Sequence, residues 1–278
     1  MRNREDLELY SSFVKDFISD YTKTSYAKAL KSTRVREMMV RLIKAGLLDI
    51  LKRYNEGDAK DVAEALVKVA YVTRLHPHRA EDVEKVYTLL TKYQNIGPNL
   101  VIQLGYGVEE RGRKFLKRFL KIMESPVVES FLKKTDGMSN SEYAEDIAWS
   151  LGMLIRKVEG DKELATEASK VLEHYIDTPV VAATVAERFV DCADLLQHWN
   201  ERFLKDSFWL RCMFGRPPLW RKYFKKIIEK LGKPEVVKFL KSYEEEEEKA
   251  KSAALDLCIA VCDTVFEEFE SSVGGPKL

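Results

Sequence analysis

Tyr10, Phe13, Val14, Phe17, Ile18 and Tyr21 recur at the three-and-four spacing that lines one buried face of an α-helix. The same period returns along the chain. Phe115, Leu116, Phe119, Leu120 and Met123 form one such stripe, and Trp220, Tyr223, Phe224, Ile227, Ile228 and Leu231 form another. Four prolines punctuate these stripes: Pro98, Pro126, Pro179 and Pro234 each stand just ahead of an amphipathic stretch. In Ser125-Pro126 and Thr178-Pro179 a capping residue precedes the proline. That order starts helices, because Pro at the first helical position lacks only an N–H that would be orphaned there. Strand-like alternation is almost absent, so the pattern predicts an all-α protein.

Turn signals divide the helical pattern. Helices are expected over Val35 to Tyr54, over Ala59 to Leu75 after the turn Asn55-Glu56-Gly57-Asp58, and over Asp82 to Tyr93. His76-Pro77-His78 ends the second of these. After Pro98, an apolar run to Leu104 reads as a short buried helix or a strand, broken by Gly105-Tyr106-Gly107. Further helices are expected from Ser141 to Val158, Glu163 to Ile176 and Val180 to Phe203. One or two more should fill Val236 to Val273. Gly215-Arg216-Pro217-Pro218 is the sharpest break. It suggests a helical-repeat region over 1–214 and a C-terminal helical extension over 215–278 packed on it, unless the chain is one continuous domain.

Two adjacent segments carry a resemblance. Ala45-Gly46-Leu47-Leu48-Asp49-Ile50-Leu51 followed by Asp58-Ala59-Lys60-Asp61-Val62-Ala63-Glu64-Ala65-Leu66 resembles the Gly-started helix, polar turn and Ala-rich packing helix of armadillo and HEAT repeats. Ile96-Gly97-Pro98-Asn99-Leu100-Val101 and the stretch from Ala144 to Leu154 are similar to the same two parts. Comparable helices near Leu66, Leu151 and Ala193 are spaced consistently with a repeat of roughly 40–47 residues. The resemblance implies helical hairpins stacked as an α-solenoid, or an irregular multi-helix bundle. Either exposes a long surface suited to binding.

Composition narrows the class without naming a partner. Lys and Arg number 46 against 45 Asp and Glu, a net charge of +1, so no global field favours nucleic acid or an anionic membrane. Asn and Gln are scarce while ion-pairing residues abound, a balance associated with proteins that work at high temperature. Cys192, Cys212, Cys258 and Cys262 form no Cys-x-x-Cys pair. Cys258 and Cys262 share a helix face and would bridge poorly along it. The four therefore read as small buried thiols of a reducing interior. No apolar segment follows Met1-Arg2-Asn3-Arg4-Glu5-Asp6 as a leader would require. Nor does any run reach the roughly 18 apolar residues of a membrane span. A cytoplasmic protein with no membrane partner is expected.

Charge is distributed in blocks. Lys23 to Arg53 holds nine basic and two acidic residues, and Arg111 to Lys134 holds eight and two. Asp136 to Glu201 reverses to fourteen acidic against five basic; Arg202 to Lys241 returns to twelve basic against three acidic. Glu244 to Glu270 closes with ten acidic and two basic. Two candidate surfaces for nucleic acid or an acidic partner emerge. Arg113, Lys114, Lys117, Arg118 and Lys121 flank one apolar stripe; Arg216, Trp220, Arg221, Lys222, Lys225 and Lys226 surround another. The competing reading is a solvated face neutralised by neighbouring acids. Glu244, Glu245, Glu246, Glu247 and Glu248 form a candidate surface for a basic partner, or a charged helix start.

Candidate chemistry is thin. His76 and His78 point apart around Pro77, and no glycine-rich phosphate loop or nucleophile elbow is present. Asp206-Ser207-Phe208-Trp209-Leu210-Arg211, after Trp199, resembles the tryptophan-rich segment of helical-repeat alkylpurine DNA glycosylases, although Cys212 stands where that family tends to carry a second Arg. That resemblance implies an aromatic, basic groove for DNA. No catalytic residue, metal ligand or cofactor is assigned. The expectation is a non-catalytic scaffold that binds another protein, with nucleic-acid binding through the basic faces as the alternative.

Overall fold

The computed structural model describes residues 4–18, 24–76, 79–206, 219–243 and 246–273. Among these residues every regular element is an α-helix, as the hydrophobic period predicts. In chain order they are α1 (Arg4–Phe17), α2 (Thr24–Lys31), α3 (Thr33–Lys44), α4 (Leu47–Leu51), α5 (Glu56–Thr73), α6 (Arg79–Lys92) and α7 (Gly97–Met123). Then follow α8 (Pro126–Asp136), α9 (Ser141–Lys157), α10 (Lys162–His174), α11 (Pro179–Asp206), α12 (Leu219–Leu231), α13 (Pro234–Lys241) and α14 (Glu247–Val273). Two compact units result, Met1–Glu124 and Ser125–Leu278. The expected boundary between 214 and 215 lies outside the described residues. Beyond it, within the second unit, α12 packs on α10 and α11, α14 packs on α11, and α13 packs on α12 and α14.

Helix starts follow the punctuation. Pro98, Pro126 and Pro234 occupy first-turn positions, and Pro179 opens α11. Ser125 has the extended backbone of an N-cap but makes no side-chain cap bond. True side-chain caps come from Asn55, Asn140 and Asp161, whose Oδ1 atoms accept from backbone N–H groups at 2.9–3.4 Å.

In the first unit α5 packs along α7, with α6 against both and with α1, α2 and α3 on the α5 side. Tyr10 donates its hydroxyl to the Leu30 carbonyl at 3.2 Å, fixing α1 over the end of α2. The helix expected over Val35 to Tyr54 divides in two at Gly46, whose φ of 100° is left-handed and lets the chain turn into α4. A second expectation fails at Gly105-Tyr106-Gly107. The helix runs straight through it, because a Cβ on Gly105 would lie 2.5 Å from the Ala65 Cβ. That glycine allows close packing of α5 and α7 rather than a turn. The break comes instead at Gly112, where φ 66° and ψ −155° enter a region open essentially to glycine alone.

In the second unit α11 is the central helix, packed against α9, α14, α12 and α10. Phe189 of α11 meets Phe224 of α12 edge-on with ring centroids 6.0 Å apart, and Tyr223 meets Phe269 of α14 at 5.1 Å. Buried rings of this size each contribute about 1.5–3 kcal/mol through area removed from water, with edge-to-face pairing adding to it. The stretch from Val236 to Val273 is two helices, α13 and α14. A disulfide between Cys192 and Cys262 ties α11 to α14 across 70 residues of chain. This corrects the expectation of free thiols for those two residues. Cys258 is the buried thiol that the composition predicted, and burial pushes it up to about 12.

Candidate functional site

Four basic residues of α12, Arg221, Lys225, Lys226 and Lys230, are committed to acids of neighbouring segments. Arg221 Nη1 lies 2.9 Å from Asp161 Oδ2, and Lys225 Nζ lies 2.6 Å from Glu163 and 3.2 Å from Glu167. Lys226 and Lys230 share Glu268 of α14, at 2.6 and 3.4 Å. Hydrogen bonds to Glu163 and Glu167 raise Lys225 above the usual lysine value, and Lys225 in turn holds Glu163 below the usual carboxylate range. Charge blocks of opposite sign thus meet inside the fold. Trp220 is only 5% exposed and packs in the core, which removes it as a stacking platform. Lys222 is exposed, and Arg216 lies outside the described residues.

The α7 surface keeps more of its charge. Arg113 pairs with Asp82 of α6 at 3.3 Å, and Arg118 is half-buried. Lys114, Lys117 and Lys121 are exposed, occupy one side of the helix beyond Gly112, and have no ion-pair partner among the described residues. Within the acidic run, Glu244 and Glu245 lie outside the described residues. Glu246 pairs with Lys249, Glu247 accepts the Tyr143 hydroxyl, and Glu248 is exposed. From Ser207 onward, the glycosylase-like segment also lies outside the described residues.

A different feature stands out in the second unit. A groove of about 400 Å³ runs between α9 and α11, bordered by Lys251 of α14. From α9 it receives Tyr143, Asp146, Trp149, Ser150 and Met153, and from α11 Thr184, Glu187 and Asp191. Helical geometry explains the set. Glu142, Asp146, Trp149 and Met153 fall at intervals of four, three and four on the side of α9 away from its buried Ala144, Ile147, Ala148 and Leu151. On α11, Thr184, Glu187, Asp191, Asp194, Leu195 and His198 share one line in the same way.

The groove is electrostatically unbalanced. Burial raises Asp146 above the ordinary Asp value; Glu142 and Glu187 raise it further, while Lys251 opposes them. Asp191 is also raised by burial, with Glu187 and Asp194 repelling it and Arg188 opposing. Arg188 reaches Asp191 at 2.7 Å and Glu187 at 3.3 Å. Asp146 has no hydrogen bond or close ion pair among the described residues. Trp149 is 37% exposed, and its indole N–H is likewise without a partner among them. Ser150 is 8% exposed, lines the groove, and has no hydrogen-bond partner among the described residues.

A more open depression continues along α11, lined by Asp191, Asp194, Leu195, Gln197 and His198. Gln197 donates to the Lys157 carbonyl at 2.6 Å and Lys157 pairs with Asp194, tying α11 to the end of α9. From Val180 to His198 the shared helix face extends about 27 Å at 1.5 Å per residue.

No family model matches the chain, and no curated protein or solved structure does either. The site therefore rests on its own geometry. Among the described residues no three His, Cys, Asp or Glu side chains converge closely enough to hold a metal ion, and no helix is long and apolar enough to cross a membrane. No motif marks Asp146, Trp149, Ser150, Glu187 or Asp191 in the sequence. The signal there is subtler: Trp149 sits on the charged stripe of its helix, out of phase with the apolar one.

Proposed function

We propose that this protein is a non-catalytic binding module whose working surface is the α9–α11 groove, which accepts a segment of a partner protein. The observation that carries this is Trp149, a large indole left open to solvent beside carboxylates that their neighbours do not fully neutralise. Aromatic anchors next to polar rims dominate binding energy at protein interfaces. The extension along α11, ending near exposed Leu195, suits a chain segment better than a compact small molecule. An armadillo- or HEAT-like use of helix pairs agrees with this reading, since such proteins bind partners along ridges between helices.

Affinity capture tests it. The wild-type chain should retain a stoichiometric protein that Trp149→Ala loses at least tenfold, whereas Phe239→Ala, an exposed aromatic on α13, retains it fully. Equal retention by Trp149→Ala would overturn the reading, as would the lack of any retained protein.

A second reading has one specific support. Lys114, Lys117 and Lys121 form an exposed basic line on α7 to which phosphates or an acidic partner would be drawn. Replacing all three with Glu should abolish a salt-sensitive mobility shift with nucleic acid. No shift by the wild-type chain at low salt would dismiss that reading.

A further inference from the structure

The geometry points to an arginine side chain, carried on a basic segment of the partner protein, as the group recognised at the centre of the α9–α11 groove, between the face of Trp149 and the carboxylate of Asp146, with the Ser150 hydroxyl beneath. This rests on the groove being the docking surface and adds the chemistry of what docks. Three observations converge on it. Asp146 and Asp191 line the groove as solvent-open acids, and α9, α11 and α14 together surround them with Glu142, Glu187, Asp194 and Glu247 against Arg188, Lys251 and the Lys157 that pairs with Asp194. The local balance is negative. Trp149 presents an unpartnered indole at the same place, and a cation over an aromatic face gains from the ring quadrupole. Ser150, a residue 8% exposed that lines the same groove, adds a hydroxyl with no hydrogen-bond partner among the described residues.

The form of the cation follows from the spacing. Among the described residues the carboxylates do not converge as a metal site would, so a bare ion finds no ligand set here. A guanidinium offers five donors in a fixed plane, enough to reach a carboxylate and a hydroxyl while stacking on an indole. A lysine ammonium is a compact, strongly hydrated charge and would satisfy fewer of these groups at once. The continued line of Asp191, Asp194 and Leu195 gives the neighbouring residues of the segment acidic and apolar contacts in turn.

The test uses the full chain and synthetic 12-residue peptides that differ only at a central position, carrying arginine, lysine, citrulline or glutamate, together with arginine amide. The readout is the indole N–H resonance of Trp149, identified by its loss in Trp149→Phe. The arginine peptide should shift it saturably, the lysine peptide should bind several-fold more weakly, and citrulline or glutamate should weaken binding at least tenfold. Asp146→Asn should cost about tenfold for the arginine peptide and nothing for citrulline; Ser150→Ala should cost two- to threefold. Circular dichroism confirms that each variant is folded, and the peptide arms need no variant at all. Equal binding of arginine and citrulline peptides would overturn the proposal, as would no shift at millimolar peptide. Arginine amide binding as tightly as the peptide would overturn the assignment to a protein segment. If capture depends on Trp149 but the peptides do not discriminate, the docking surface stands and its cation chemistry fails. If capture is independent of Trp149, the docking surface itself fails.

Discussion

Asp146, which our proposal places at the centre of the docking groove, is held at a cost to the folded state. Its carboxyl is raised in the native protein by burial and by Glu142 and Glu187. A raised native value means the folded state binds a proton more readily than the unfolded chain does. Stability is therefore lowered at neutral pH, and the penalty is relieved as pH falls through the raised native value toward the ordinary Asp value. Asp146→Asn removes the penalty. We expect it to raise the thermal midpoint at pH 7 by a small margin that disappears in acid, measured by calorimetry at both pH values, while binding weakens. Groups kept at a cost in stability are characteristic of functional surfaces. Residue-level reading of the sequence succeeds where one side chain has one job, as with Pro126 and Pro234 at helix starts. It fails where a residue type serves two. Trp220 carries the same indole as Trp149, yet one fills the core and the other faces water. Only the packing of α12 on α10, α11 and α14 decides between them.

At the level of elements, the helices are legible because their apolar period is strong, and their ends are less so. Gly105 reads as a helix breaker but permits close approach to Ala65. Gly112, where an added Cβ would meet nothing within 4 Å, is the residue whose backbone breaks α7. Composition cannot separate those two uses of glycine. The disulfide is equally hidden, since a pairing across 70 residues depends on α14 returning to lie on α11. Closing a loop of that length restricts the unfolded chain by about 4 kcal/mol on the chain-entropy argument. Replacing both Cys192 and Cys262 with Ala should lower stability by about 2–4 kcal/mol in denaturant titrations. Peptide mapping of the oxidised protein should recover the Cys192–Cys262 link, and Cys258, with its thiol pushed up to about 12 by burial, should resist alkylation in the native state.

Across the whole molecule, the alternating charge blocks of the sequence acquire two different meanings. The basic block carrying Arg221, Lys225 and Lys226 is answered by Asp161, Glu163, Glu167 and Glu268, so those blocks hold helices together. The acidic stretch carrying Asp146, Glu187 and Asp191 is answered only in part, and that remainder lies beside an open tryptophan. A net charge of +1 conceals the distinction, because it sums residues that are satisfied internally with those that are not. The most direct measurement of the central claim places the photo-reactive residue benzoylphenylalanine at position 149, and separately at position 239, in the full chain within its native extract. Irradiation should yield one saturable adduct with a single protein from position 149 and none from position 239. No adduct at position 149, or the same adducts from both positions, would contradict the assignment of the α9–α11 groove as the surface by which this protein binds its partner.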